Sequence, residues 1–174
     1  MANAYEAGTR KAVPAVLVYV FREDRVLLIH RGARGAAADY HHGKWNGLGG
    51  KLEPEESFAQ AARRELREES GLDLPEDRLR PLGFLQFPNF KAHKAEDWLV
   101  QVFVAEAGEA EAAQVLSETD EGSIHWIPAA DVPNLNLWAG DRHFIPLVVA
   151  KKPFFGTFWY KGGELERHEL RELT

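Results

Sequence analysis

The stretch Gly50-Lys-Leu-Glu-Pro-Glu-Glu56, followed by Arg64-Glu-Leu-Arg-Glu-Glu-Ser-Gly-Leu72, decides how this chain reads. The residues between carry helix signals at both ends. Ser57 stands where an N-cap belongs and Gln60 follows three residues on, the pattern of a capping box. Gly71 follows the last charged residues, as a C-cap does. Between the caps the chain is rich in Ala, Leu, Glu and Arg, all good helix formers. On that helix Glu65, Glu68 and Glu69 fall at i, i+3 and i+4 and share one broad face. Like charges so spaced cost a helix roughly 0.2–0.5 kcal/mol per pair, and a cation held among them reverses the sign. Clustered hard oxygens suit Mg2+ or Mn2+, and Mg2+ commonly joins one or two carboxylates to substrate phosphates.

Composition bounds the class. The 174 residues, 45% of them hydrophobic, suffice for one domain with a sizeable core. No apolar run is long enough to span a membrane. Met1-Ala-Asn-Ala-Tyr-Glu6 lacks the basic and apolar regions of a secretory signal, so a cytoplasmic protein is expected. With no cysteine, disulfides, thiol catalysis and thiolate metal sites are excluded. The net charge of −6 argues against binding a nucleic acid polymer. It also means that an anionic nucleotide substrate needs metal ions and a few local bases to neutralise its phosphates.

Hydrophobic patterning predicts strands over Ala15–Phe21 and Arg25–His30, joined by a turn at Arg22–Asp24. Residues 31–44 read as a long loop, a candidate lid or specificity element. Within it, adjacent His41 and His42 are read as loop residues rather than metal ligands. Further strands are expected at Leu82–Phe87 and Trp98–Ala105, with a polar loop over Pro88–Asp97 between them. Ser123–Ile127 is a short strand, and Arg142–Lys151 a helix complicated by Pro146. Phe154–Tyr160 and Glu164–Leu170 form a closing hairpin that turns at Lys161-Gly-Gly163. Strands and helices mixed in this way suggest a mixed sheet covered by helices.

Gly50, Glu56, Arg64, Glu65, Leu66, Glu68, Glu69, Gly71 and Leu72 occupy the fixed positions of a known signature. The segment resembles the Nudix box of hydrolases that cut nucleoside diphosphates linked to another group. An acidic surface helix could carry such charges without function, but the complete pattern argues against it. Lys44–Lys51, Ser117–Glu121 with Trp126, Trp138–Asp141 and Lys151–Phe158 extend the likeness over nearly the whole chain. Together they resemble the branch that hydrolyses oxidised-purine nucleoside triphosphates such as 8-oxo-dGTP. The resemblance implies an α+β fold, with a curved mixed β-sheet sandwiched between α-helices. It implies a single domain over residues 1–174, with a short N-terminal extension over about 1–12.

The resemblance also implies roles. Gly49, through its backbone carbonyl, and Glu65, Glu68, Glu69 and Glu121 would hold the divalent ion, with Glu121 alternatively a solvated loop acid. Glu65, Glu69 and Arg64 form the catalytic group. Glu65 is the general base of choice, Glu69 and Glu121 stay open for that role, and Arg64 is expected to ion-pair with Glu56. Gly50, Glu56, Leu66, Gly71 and Leu72 are structural. Lys51 and Arg31 are candidate phosphate ligands. Asn46, Phe87, Trp138 and Asp141 are candidates for the base pocket, with Trp98 beside them. Asn46 offers a donor and an acceptor side by side, though Trp45-Asn-Gly47 is also a strong turn sequence. Where the resemblance implies two adjacent acids at the base, this chain has Gly140 followed by Asp141, which could instead cap the helix.

The implied reaction is Mg2+-dependent hydrolysis of a nucleoside triphosphate to monophosphate and pyrophosphate. Two alternatives remain open. One is another Nudix substrate: ADP-ribose, a dinucleoside polyphosphate or an ordinary nucleoside triphosphate. The other is a nucleotide-sensing module without catalysis.

Overall fold

The computed structural model describes residues 2–32 and 42–174. The sequence-predicted loop residues 33–41, His41 among them, lie outside the described residues. The strands are β1 (Lys11–Arg22), β2 (Arg25–Arg31), β3 (Trp45–Asn46), β4 (Arg80–Lys91), β5 (Glu96–Glu106), β6 (Glu118–Thr119), β7 (Gly122–Pro128), β8 (Phe154–Lys161) and β9 (Glu164–Glu172). The helices are α1 (Phe58–Ser70), the short α2 (Glu109–Ala112) and α3 (Asp141–Val149).

The strands join in one mixed sheet in the order β6-β7-β2-β1-β5-β4-β8-β9, with β3 added to β2. β1 pairs with β5, and β4 with β8, in parallel; the other pairings are antiparallel. β1 shows why helices cover both faces. Its side chains alternate across the sheet, and both sets are apolar. Val16, Val18 and Val20 join a core with Ala61, Ala62 and Leu66 of α1. Ala15, Tyr19 and Phe21 join a second core with Phe144, Ile145 and Val148 of α3. The sheet is therefore the middle layer of an α+β sandwich, as expected.

Helix α1 begins and ends where its caps predict. The Ser57 hydroxyl accepts from the Gln60 N–H at 3.1 Å, and the Gln60 side chain accepts from the Ser57 N–H at 2.8 Å. Gly71 closes it in the left-handed region (φ 78°), with its N–H bonded to the Arg67 carbonyl. Leu66 and Leu72 are buried. Helix α3 starts one residue earlier than the pattern suggests, at Asp141. The burial of Phe144, Ile145 and Val148 holds it together despite Pro146.

The expected polar loop over Pro88–Asp97 is largely strand. β4 runs on to Lys91 and β5 starts at Glu96. The pairing slips between Phe87 and Lys91, and Asn89 has a φ of 56°. A bulge of this kind accommodates a proline inside a strand, because Pro88 is then not asked for a ladder hydrogen bond. The N-terminal segment is anchored at the start of β5. Tyr5 Oη donates to Asp97 Oδ2 at 2.7 Å, Arg10 Nε donates to the same carboxylate at 2.8 Å, and β1 starts at Lys11.

Candidate active site

Two arginines organise the acidic face of α1. Arg64 donates from Nε and Nη2 to the two carboxylate oxygens of Glu56, at 2.7 and 2.9 Å. Its Nη1 reaches Glu65 at 2.7 Å and Glu68 at 3.2 Å, and Nη2 also donates to the Lys51 carbonyl at 3.0 Å. A planar guanidinium can serve so many acceptors at once, and here it ties the box loop to the helix. The same bonds hold the Glu56 carboxyl at about 2, well below the usual carboxylate range. Arg31, at the end of β2, lies 3.4 Å from Glu69 and is ion-paired with Glu121.

Glu69 is only 5% exposed. Its Oε2 accepts the backbone N–H of Gly49 at 2.7 Å. Burial pushes its carboxyl up to about 7, opposed by Arg31 and by the Gly49 N–H. The glycine turn that supplies this N–H is locked to β1, where the N–H groups of Val16 and Val18 donate to the Gly50 and Leu48 carbonyls at 2.8 and 2.6 Å. Gly49 cannot carry a side chain, and at Gly50 one would displace the Glu65 carboxylate. A Cβ on Gly49 would stand 2.0 Å from the Val16 carbonyl oxygen, and one on Gly50 would stand 2.4 Å from Glu65 Oε1.

Among the described residues no three acidic or histidine side chains converge on one point. The acids of α1 are divided between Arg64 and Arg31, which relieve the repulsion between neighbouring carboxylates. The donor set still fits a hard divalent ion. It is all oxygen, and three of its carboxylates project from one face of α1. The desolvated Glu69 carboxylate also needs a positive partner to ionise.

A cavity of about 520 Å³ opens beside this cluster. Glu65, Arg64, Gly49, Gly50, Lys51, Arg31 and Glu121 are among its lining residues. So are Asn46, Phe87, Trp98, Trp138 and Asp141. Glu68 and Glu69 are not among the lining residues: Glu68 points to solvent, and Glu69 lies buried beneath the glycine turn. His42, the described half of the histidine pair, is exposed.

Local pairing explains how distant residues reach the cavity. β3 sets Asn46 against Ile29 and Trp45 against His30, and those two rings stack at 4.6 Å. The Trp45 N–H donates to the Asn136 carbonyl at 3.1 Å, drawing in the segment that carries Trp138. Lys44 completes the link. Its Nζ donates to Asn136 Oδ1 at 2.9 Å and to the Leu137 carbonyl at 3.2 Å, and lies 5.1 Å from the Trp138 ring centroid. Asp141 is 9% exposed at the first turn of α3, and burial pushes its carboxyl up to about 7 against the pull of Lys44. The cap of α3 is Gly140, not Asp141.

The sequence reading did not single out Lys44, Phe90, Lys91 or Tyr160, of which the last three line the cavity. Lys51 and Lys91 stand 5.4 and 4.8 Å from the Trp98 ring centroid. Burial and the charge of Lys51 lower the Lys91 ammonium from its ordinary value. Strand alternation holds the signal for Tyr160: it shares a face with Phe158, two residues before it, which is fully buried.

An acid-rich helix behind a glycine turn, at the mouth of a cavity on a mixed sheet, defines a Nudix hydrolase. Residues 11–148 match the NUDIX domain, and the chain belongs to that family. It is 39% identical over 158 residues to the oxidized purine nucleoside triphosphate hydrolase of Danio rerio, an alignment covering 90% of this chain and 93% of that protein. To the protein of the same name from Mus musculus it is 33% identical, with the same coverage of 90% and 93%. A solved structure, the mMutator MutT protein from Bacillus halodurans, matches with a TM-score of 0.75 and 27% identity over 91% of this chain and 97% of that one. Nudix hydrolases generally need a divalent metal ion. No helix among the described residues is long and apolar enough to cross a membrane.

Proposed function

We propose that this chain hydrolyses oxidised-purine nucleoside triphosphates, such as 8-oxo-dGTP, to the monophosphate and pyrophosphate, and so keeps damaged precursors out of the nucleotide pool. The observation that carries this reading is the shared cavity. Its lining joins two chemistries: cations and carboxylates around the glycine turn, and aromatic rings with the polar side chains of Asn46 and Asp141. The first suits a triphosphate and the second a purine. The relatives named above lend weight to the oxidised purine.

Each residue has a task in this scheme. Glu65, Glu68, Glu69 and Glu121, with the Gly49 carbonyl, would hold the divalent ion, and Mg2+ is the metal we assign. When bound, it supplies charge neutralisation and an acidified water. Lys51 and Arg31 bind phosphate oxygens, offsetting the negative charge of the chain. Glu65 accepts the proton of the attacking water as general base. Its carboxylate lines the cavity, whereas Glu69 is buried beneath it. Arg64 keeps Glu65 in place through the 2.7 Å contact. Water adds at a phosphorus, the α–β phosphoanhydride bond breaks, and pyrophosphate departs. Trp138 stacks on the base while Asn46 and Asp141 hydrogen-bond its edge.

Product analysis tests the scheme. With 8-oxo-dGTP and Mg2+, phosphorus NMR should show monophosphate and pyrophosphate in equal amounts. Release of orthophosphate alone, or no turnover, would contradict it.

A further inference from the structure

The bulge in β4 brings two neighbouring residues to one cavity. Adjacent side chains of a regular strand point to opposite faces, yet Phe90 and Lys91 both line the cavity where the pairing slips between Phe87 and Lys91. Phe90 packs edge-on against Trp98 at 5.5 Å. The Trp98 Nε1–H donates to Glu96 Oε2 at 3.1 Å. The indole is thus held from two sides, and the Nζ atoms of Lys91 and Lys51 lie 4.8 and 5.4 Å from its ring centroid.

The chain does not balance these two ammoniums. The face of an indole attracts each of them, but the second also meets the repulsion of the first. Neither Nζ has a hydrogen-bond or ion-pair partner among the described residues. Burial and the charge of Lys51 lower the Lys91 ammonium, and the carboxylate of Glu96 opposes them without cancelling them.

The surroundings add charge of the same sign. A second cavity, of about 690 Å³, shares Phe90, Lys91 and Tyr160 with the first. His93, Lys94 and Lys161 are among its other lining residues, and no aspartate or glutamate among the described residues lines it. In a chain of net charge −6 this is a local concentration of cations, and Lys91 stands where it meets the cavity of the glycine turn. An anion of several charges placed there turns the repulsion between the lysines into attraction to both. A lysine ammonium suits a phosphate as a compact point charge with three donors.

We propose that Lys91 is a further substrate-binding residue: together with Lys51 it takes a phosphate group of the nucleotide beside the Trp98 ring. This rests on the functional reading above.

Calorimetry with Mg2+ and two probes tests the contact. Inorganic pyrophosphate carries phosphates without a base, and 8-oxo-2′-deoxyguanosine carries the base without phosphates. Each is titrated into wild type, Lys91→Gln and Lys91→Arg, and melting curves report folding. Lys91→Met, which keeps the apolar stem against the ring, takes the place of Lys91→Gln if that variant unfolds. Pyrophosphate is expected to bind Lys91→Gln about tenfold or more weakly, the scale of a hydrogen bond to a charged group. Lys91→Arg, which keeps the charge, is expected to restore most of that affinity, and nucleoside binding to stay the same throughout. Pyrophosphate affinity in Lys91→Gln equal to that of wild type would overturn the proposal, as would a wild type that binds no pyrophosphate. An equal loss for both probes would also overturn it, because Lys91 would then only hold Trp98 in place. Pyrophosphate binding that depends on Lys91, in a wild type that does not hydrolyse 8-oxo-dGTP, would uphold the phosphate contact and overturn the functional reading alone.

Discussion

The backbone N–H of Gly49 donates to the buried carboxylate of Glu69 at 2.7 Å, coupling the glycine turn to the acidic face of α1. A turn locked to β1 and a helix packed on the sheet are thereby held in one register at the cavity mouth. Glu69→Gln keeps an oxygen for that N–H but removes the negative charge. Turnover is expected to drop by about 100-fold or more, the scale of lost catalytic groups. The fold is expected to survive, because the change also relieves repulsion with Glu65. Steady-state kinetics and a melting curve check both; a variant with wild-type kcat would remove Glu69 from the reaction.

Metal dependence follows from the donor set. Activity is expected to vanish in excess EDTA and return on adding Mg2+ or Mn2+, hard ions suited to carboxylate oxygens. Undiminished hydrolysis in EDTA would refute the assignment of Glu65, Glu68, Glu69 and Glu121 as ligands.

Arg64 serves three carboxylates, and its side chain is only 16% exposed. Arg64→Ala leaves Glu56 and Glu65 without their partner and is expected to cost about 2–4 kcal/mol in urea unfolding at pH 7. Glu56 is held at about 2 in the folded protein, below its ordinary value of 4.5. A pKa lowered by folding contributes stability above the ordinary value and loses it as pH falls toward the folded one. The gap between wild type and variant is therefore expected to narrow from pH 5 to pH 2. A gap independent of pH would show that Glu56 is not the partner that matters.

Asp141 gives the opposite sign. Burial raises its carboxyl from an ordinary 3.8 to about 7. Stability from this group is full below about pH 4 and is lost as pH rises through 7. Asp141→Asn cannot ionise, so its melting temperature is expected to exceed that of wild type by about 3–8 °C at pH 8. The difference should vanish near pH 4. The same substitution is expected to cost roughly 1–3 kcal/mol of discrimination between oxidised and normal guanine triphosphates, as one buried acceptor is lost. An unchanged selectivity ratio would remove Asp141 from the base site.

The parts legible in the sequence are those fixed by local chemistry. The caps at Ser57 and Gly71, the shared face of Glu65, Glu68 and Glu69, and the turn at Gly162 and Gly163 all depend on neighbours within one or two turns of chain. The structure reproduces the caps and the turn. The Glu56–Arg64 pair was readable for the same reason. The cavity wall was harder to read. Tyr160 comes to the site because β8 pairs in parallel with β4, which is distant in sequence. Lys44 comes beside Trp138 because β3 and the segment around Asn136 close on each other. Pro88 misled because a proline ends most strands, yet the bulge before Lys91 absorbs it.

The measurement that bears most directly on the central claim is kcat/KM across a substrate panel with Mg2+. The panel comprises 8-oxo-dGTP, dGTP, dATP, ADP-ribose and a dinucleoside polyphosphate. The account predicts the highest value for 8-oxo-dGTP, with dGTP lower by about tenfold or more, as expected where buried polar groups read a base edge. Equal values for 8-oxo-dGTP and dGTP, or a maximum at ADP-ribose or the dinucleoside polyphosphate, would contradict it.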